Sequence, residues 1–230
     1  LYRDVHLVVK NPVSVARHGI YVTTPEVSEQ RATVDVQVEV EGIRNKKCDL
    51  VVKATILSPD GQVVGRSEVA APKDSKQPTV EVGLPQLSIA NPRLWWTEKP
   101  DLYTVEVALV LDGKTVDKVS QRFGIRTIEF SNDFGLKLNG KKIFLKGVAC
   151  HQDYGAVGVA AYETSIARMM DRLKEFGFNH IRTSHNPYSE SFLRLADEKG
   201  ILVVDELYDK WSNTIAWAGR RPWTSIWWEN

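Results

Sequence analysis

Between Asn179 and Glu206 the chain sets Arg182, His185, Asn186, Asp205 and Glu206 at the ends of short apolar runs. Arginine and histidine so placed can hydrogen-bond the hydroxyls of a polar substrate or hold a nearby carboxylate in its ionised form. Neighbouring carboxylates such as Asp205 and Glu206 are hydroxyl acceptors. His151 and Asp153 occupy a similar place after Gly147-Val148-Ala149-Cys150. The same side chains could also serve only a strand-end hydrogen-bond network or a helix N-terminus, and residue type alone leaves both readings open.

The elements around these residues predict how they are held. Ile166, Met169, Met170, Leu173 and Phe176 recur at helical spacing, and Gly177 follows as a C-terminal cap. A short strand, Asn179 to Thr183, comes next. A second helix follows, with Phe192, Leu195 and Ala196 on one face and Gly200 at its end, and then the apolar run Ile201-Leu202-Val203-Val204. Strand, helix, strand, helix, strand with continuous apolar strands predicts a parallel sheet covered by helices. A doubly wound sheet and a (β/α)8 TIM barrel both fit. In either, functional residues gather at the C-terminal ends of the strands, where the polar residues stand here. No Gly-rich phosphate fingerprint follows the first strand, which disfavours a nucleotide site.

The first 130 residues read differently. Thr33-Val34-Asp35-Val36-Gln37-Val38-Glu39-Val40 alternates apolar and polar, as do Leu50 to Leu57, Thr79 to Val82, Tyr103 to Leu111 and Lys114 to Phe123. Val5-His6-Leu7-Val8-Val9 also reads as a strand. Pro59-Asp60-Gly61 and Asp112-Gly113 are turn signals. Strands at this spacing without helical windows predict an antiparallel β-sandwich, immunoglobulin-like in architecture alone. A hairpin, Gly135-Leu136-Lys137-Leu138, turn Asn139-Gly140 and Ile143-Phe144-Leu145, leads into the second half.

Composition narrows the classes. Of 230 residues, 43% are hydrophobic and 26% charged, and the net charge is +1, which offers no nucleic-acid footprint or basic membrane patch. No apolar run is long enough to span a membrane as a helix. Cys48 and Cys150 stand far apart with no metal or redox spacing and read as buried free thiols. His6, His18 and His180 read as structural. The chain opens on Leu1-Tyr2-Arg3-Asp4 without an initiator Met, so it is expected to be part of something longer.

Taken together, the motifs resemble those of glycoside hydrolase family 2. Asn179-His180-Ile181-Arg182-Thr183-Ser184-His185-Asn186-Pro187, then Asp197 and Gly200 before four apolar residues, matches every fixed element of a signature of that family. Asn186 stands where tyrosine is commoner, a form similar to that of many β-galactosidase-type members. Asn91-Pro92-Arg93-Leu94-Trp95-Trp96 with Pro100-Asp101-Leu102-Tyr103 resembles the family's sandwich domain. Phe123-Gly124-Ile125-Arg126 and Asn139-Gly140-Lys141-Lys142-Ile143-Phe144-Leu145-Lys146-Gly147-Val148 resemble its entry into the barrel. Leu1-Tyr2-Arg3-Asp4-Val5 looks like the end of a preceding sugar-binding jelly-roll domain.

The resemblance implies three segments: residues 1–10 closing that jelly roll, 11–130 the sandwich, and 131–230 the N-terminal part of a TIM-barrel catalytic domain. It implies a retaining exo-glycosidase acting on terminal β-galactosides, with two catalytic glutamates on later strands beyond residue 230. With about three of the eight βα units, the chain alone is expected to be inactive. Glu229, in Trp228-Glu229-Asn230, reverses the family's Asn-Glu order and takes no catalytic role. Arg182 matches an arginine near the nucleophile, His185 and His151 match active-site histidines, and Asp205 matches a residue that contacts sugar hydroxyls. Asn186 and Glu206 are weaker candidates, and Trp211 is the tryptophan favoured for stacking on sugar among five between Trp211 and Trp228.

Two departures refine the expectation. Lys210 stands where some β-galactosidases place a magnesium-binding glutamate, so no metal is expected there, and no cofactor is expected elsewhere. Cys150-His151-Gln152-Asp153-Tyr154 replaces the Trp-Ile-Pro run of β-mannosidase-like members. A β-glucuronidase of the same family and a non-catalytic carbohydrate-binding or scaffold module are the alternatives. The expected partner is a carbohydrate, with neither nucleic acid nor membrane, and the resemblance allows a homo-oligomeric parent. It fits a bacterial parent that is periplasmic or secreted, while the compartment itself is unknown.

Overall fold

A computed structural model describes residues 5–44, 49–73 and 75–207. The chain divides into two compact units, one from Val5 to Phe144 and one from Leu145 onward. The boundary between the two compact units falls after the hairpin, at Phe144.

The first unit is an antiparallel sandwich. One sheet holds β1 (Ser14–Thr23), β2 (Arg31–Glu41), β5 (Thr79–Gly83) and β6 (Leu87–Ala90). β2 is central: β1 pairs along one side, while β5 and β6 share the other. The second sheet runs in the order β4 (Val63–Ala70), β3 (Leu50–Leu57), β7 (Tyr103–Leu111), β8 (Lys114–Phe123). Alternation does the work. Val34, Val36, Val38 and Val40 of β2 are buried with Val52, Ala54 and Ile56 of β3 and Val105, Val107 and Leu109 of β7 in one core. Asp112 and Gly113 both take positive φ, which gives the β7–β8 hairpin a two-residue turn matched to strand twist.

Two expectations for this unit are corrected. Residues 5–9 form no strand, and Val5, Leu7, Val8 and Val9 are exposed, because alternation without a neighbouring sheet gives no ladder to join. The hairpin forms a three-stranded ribbon of β9 (Ile128–Ser131), β10 (Gly135–Leu138) and β11 (Lys141–Lys142), and its last arm precedes the apolar Ile143-Phe144-Leu145 run. The two-residue Asn139-Gly140 turn requires this, since it sets Leu138 opposite Lys141. The ribbon belongs to the first unit. Asn139 exchanges hydrogen bonds with the Thr127 backbone and donates its amide to the Trp95 carbonyl at 3.0 Å.

The second unit is a parallel sheet in the order β12 (Gly147–Cys150), β13 (His180–Thr183), β14 (Leu202–Asp205). Helix α1 (Glu163–Glu175) connects the first pair and α2 (Glu190–Lys199) the second. This is the strand–helix–strand–helix–strand parallel sheet that was expected. Ile166 and Met170 of α1 and Phe192, Leu195 and Ala196 of α2 pack on Ile181, with Val148, Cys150 and Val203 at the margin. Gly177 and Gly200, both at positive φ, end the helices; the N–H groups of Phe178 and Ile201 reach back to Leu173 and Ala196. Phe176, expected on the buried face, is exposed, because the chain turns away at Gly177. Ser189 caps α2, its hydroxyl accepting the Phe192 N–H at 3.3 Å. Ala149, Arg182 and Val204, aligned across the strands, are exposed on the face away from the helices. Cys150 is a free thiol, half-buried; Cys48 lies outside the described residues.

Candidate active site

Register assembles the site. Cys150, Thr183 and Asp205 lie side by side at the C-terminal ends of β12, β13 and β14. The next residues, His151, Ser184-His185 and Glu206, therefore leave the sheet at one edge. The chain's order alone would leave these groups up to 55 positions apart, from His151 to Glu206. Parallel pairing removes that separation.

Glu206 is the centre of the cluster. One carboxylate oxygen meets the Arg182 guanidinium, and the other lies 2.7 Å from His185 Nδ1. Arg182 reaches it from the helix-free face of β13, and His185 from the loop beyond. The edge of one imidazole faces the other: the His151 and His185 rings lie 5.4 Å apart at 80°. Burial pushes the Glu206 carboxyl up, but the hydrogen bond with His185 and then the charge of Arg182 outweigh it, and its pKa settles below the usual carboxylate value. Glu206 is thus an anion at neutral pH, and the Arg182 charge is compensated locally.

Hydroxyls fix the backbone beneath this cluster. Thr183 donates to Asp205 Oδ1 at 2.6 Å and accepts the Glu206 N–H at 2.9 Å. The Cys150 carbonyl accepts the Ser184 N–H at 2.9 Å and the Tyr188 hydroxyl. Tyr188 is itself wedged edge-on against Phe192, with centroids 4.6 Å apart, so the loop after β13 is pinned to both β12 and α2. Burial pushes the Cys150 thiol up, with a smaller contribution from Asp153, which makes it a poor nucleophile. Tyr154 is likewise pushed up to about 12, first by burial.

Of the residues singled out in the sequence, Arg182, His185 and Glu206 come into direct contact, His151 meets His185 edge-on, and Asp205 joins through Thr183. Asn186 is exposed, and its amide donates to the Pro187 carbonyl at 3.1 Å. Trp211, with Lys210 and the other tryptophans between Trp211 and Trp228, lies outside the described residues. His180 is half-buried against Gly147, and burial pushes its pKa down. Sequence reasoning gave Tyr188 no role. Its signal was a tyrosine one residue after Pro187 in a polar loop, which carries no directional information.

Residues 17–126 match the model for Glycosyl hydrolases family 2, and residues 131–217 match its TIM barrel domain. The chain belongs to glycoside hydrolase family 2. It is 31% identical over 211 residues to the β-galactosidase BoGH2A of Bacteroides ovatus, covering 92% of this chain and 25% of that protein. A β-glucuronidase of Bacteroides fragilis is 33% identical over 219 residues, covering 90% of this chain and 30% of its own length. The crystal structure of a glycosyl hydrolase family 2 member from Bacteroides cellulosilyticus superposes with a TM-score of 0.86 at 32% identity, over 96% of this chain and 28% of that one. The chain spans between a quarter and a third of the length of these relatives.

Proposed function

We propose that this chain supplies the sandwich and the first barrel strands of a retaining exo-glycosidase that hydrolyses terminal β-galactosides. The two catalytic glutamates, in this reading, lie beyond residue 230, and the rim of β12, β13 and β14 orients the sugar and tunes the nucleophile. The observation that supports it is the closed contact of Glu206 with both Arg182 and His185 at the C-terminal strand edge. Such a fixed set of donors and acceptors suits the hydroxyls of a neutral sugar. A uronic-acid carboxylate would instead meet Asp205 and Glu206, with the arginine charge already compensated, and like charges at close range disfavour it.

A β-glucuronidase is the second reading, favoured by relatives of that name such as the one from Bacteroides fragilis. The two separate in a direct assay of the full-length gene product against p-nitrophenyl β-galactoside and p-nitrophenyl β-glucuronide. The galactoside is expected to give a kcat/KM higher by at least about tenfold, a difference of roughly 1.4 kcal/mol in the transition state. A preference of that size for the glucuronide would replace the first reading by the second, and hydrolysis of neither would sink both.

A further inference from the structure

We propose that Thr183 is a positioning residue that sets the geometry of the whole rim, a role that rests on the glycosidase reading above. Its side chain is fully buried at the last position of β13, where it shares the helix-facing side of the sheet with Asp205 in register beside it. A hydroxyl has one proton to donate and lone pairs to accept with. Thr183 uses both kinds of capacity on two adjacent residues at the end of the neighbouring strand and just past it: the proton goes to Asp205 Oδ1 at 2.6 Å, and a lone pair takes the Glu206 N–H at 2.9 Å. The first bond holds the Asp205 carboxylate, and the second holds the backbone from which the Glu206 side chain starts.

Both groups that grip Glu206 flank Thr183 in the chain. Arg182 is one residue before and His185 two residues after it, and their contacts close a ring through Glu206 back to the threonine. Among the described residues, the charged and titratable groups around Glu206 are Arg182, His185, Asp205 and, behind His185, His151. Thr183 is the group whose side chain accepts the backbone N–H of Glu206. Its methyl group adds a second constraint, because a β-branched side chain has few rotamers and the hydroxyl direction is set with it. A displacement of about 1 Å at a reacting centre costs roughly 10²-fold in rate, so a residue that touches no substrate can still govern turnover.

The test compares Thr183→Val, which keeps shape and loses the hydroxyl, with Thr183→Ser, which keeps the hydroxyl. Two readouts are used. One is kcat and KM against pH for p-nitrophenyl β-galactoside with the full-length gene product. The other is the carboxylate titration of Glu206, followed by 13C NMR in the 230-residue chain and assigned through Glu206→Gln. Thr183→Val is expected to move the Glu206 midpoint toward the ordinary carboxylate value and to lower kcat by roughly 10²-fold with KM little changed. Thr183→Ser is expected to restore most of both. The proposal is overturned if Thr183→Val leaves the Glu206 titration and the pH profile in place, or if Thr183→Ser fails as badly as Thr183→Val. If the gene product hydrolyses neither glycoside while the Glu206 midpoint moves and serine rescues it, the functional reading fails and the positioning role stands.

Discussion

The sandwich and the parallel sheet each bury one face of a sheet, but they complete the task to different degrees. In the sandwich, two four-stranded sheets turn their apolar faces toward each other, and among the described residues 23 buried side chains form one core. In the second unit the three parallel strands rest on two helices, and eight buried side chains form the core among the described residues. Its other face presents Ala149, Arg182 and Val204 to solvent. An antiparallel sandwich is finished within its own sequence, whereas a barrel strand needs helices on one side and a filled interior on the other. The candidate site stands on this second element, with its charged groups at the strand ends and on the face away from the two helices.

Separating the two regions should have the largest effect. Residues 11–130 expressed alone are expected to melt cooperatively, and residues 131–230 to be poorly soluble, since three βα units by themselves would leave parallel strand edges exposed. A soluble, monomeric 131–230 fragment with a cooperative thermal transition would break the comparison. The hairpin sharpens it. Leu138 and Asn139 belong with the sandwich, so a fragment ending at Phe144 should melt higher than one ending at residue 130.

Point changes of matched chemistry come next. Ile56→Ala removes a fully buried side chain from the middle of β3 and is expected to cost about 2–5 kcal/mol in denaturant unfolding. The loss should fall on the sandwich transition, leaving the barrel-unit transition in place. An effect below about 1 kcal/mol would mean that the site collapses around the gap.

Gly147→Ala probes the other region. A Cβ at Gly147 would lie 2.1 Å from His180 Nδ1 and 2.7 Å from the His180 carbonyl oxygen, so β12 and β13 cannot keep their spacing. Overpacking of this kind costs on the order of 1–3 kcal/mol. Hydrogen exchange should show faster exchange across β12 and β13 while β2, β3 and β7 stay protected; unchanged protection of β13 would refute the prediction.

The smallest effect is a pH dependence confined to the second unit. The folded pKa of Glu206 lies below its ordinary value of 4.5, so its contribution to stability is fully present above that value and disappears as pH falls through the lower folded one. Melting curves of wild type and Glu206→Gln taken between about pH 7 and pH 2 should therefore converge at the acid end. Curves that stay parallel throughout would show that the contacts with Arg182 and His185 do not favour the ionised form.

Much of this architecture was legible from pattern. β2, β3, β7 and β8 alternate with period two, and the strands found include the ranges expected, since a half-buried strand must write its faces into its side chains. β1 and β4 were not legible. β1 shifts register between Val15 and Ile20, which breaks the alternation, and β4 is an edge strand without a buried residue. The opposite error at residues 5–9 has the same root, because alternation states which face could be buried and not whether a neighbour is present to bury it.

For the site, the sequence by itself determined the inventory: which ionisable groups exist, and that His151, Arg182, His185, Asp205 and Glu206 fall at strand ends, because apolar runs and glycine caps mark where strands and helices stop. Tertiary structure alone decided the partnerships. Parallel register set Thr183 beside Asp205, gave Glu206 to Arg182 and His185, and brought His151 against His185. Those pairings join residues more than 20 positions apart, and hydrogen bonds depend on distance in space, which no spacing along the chain encodes.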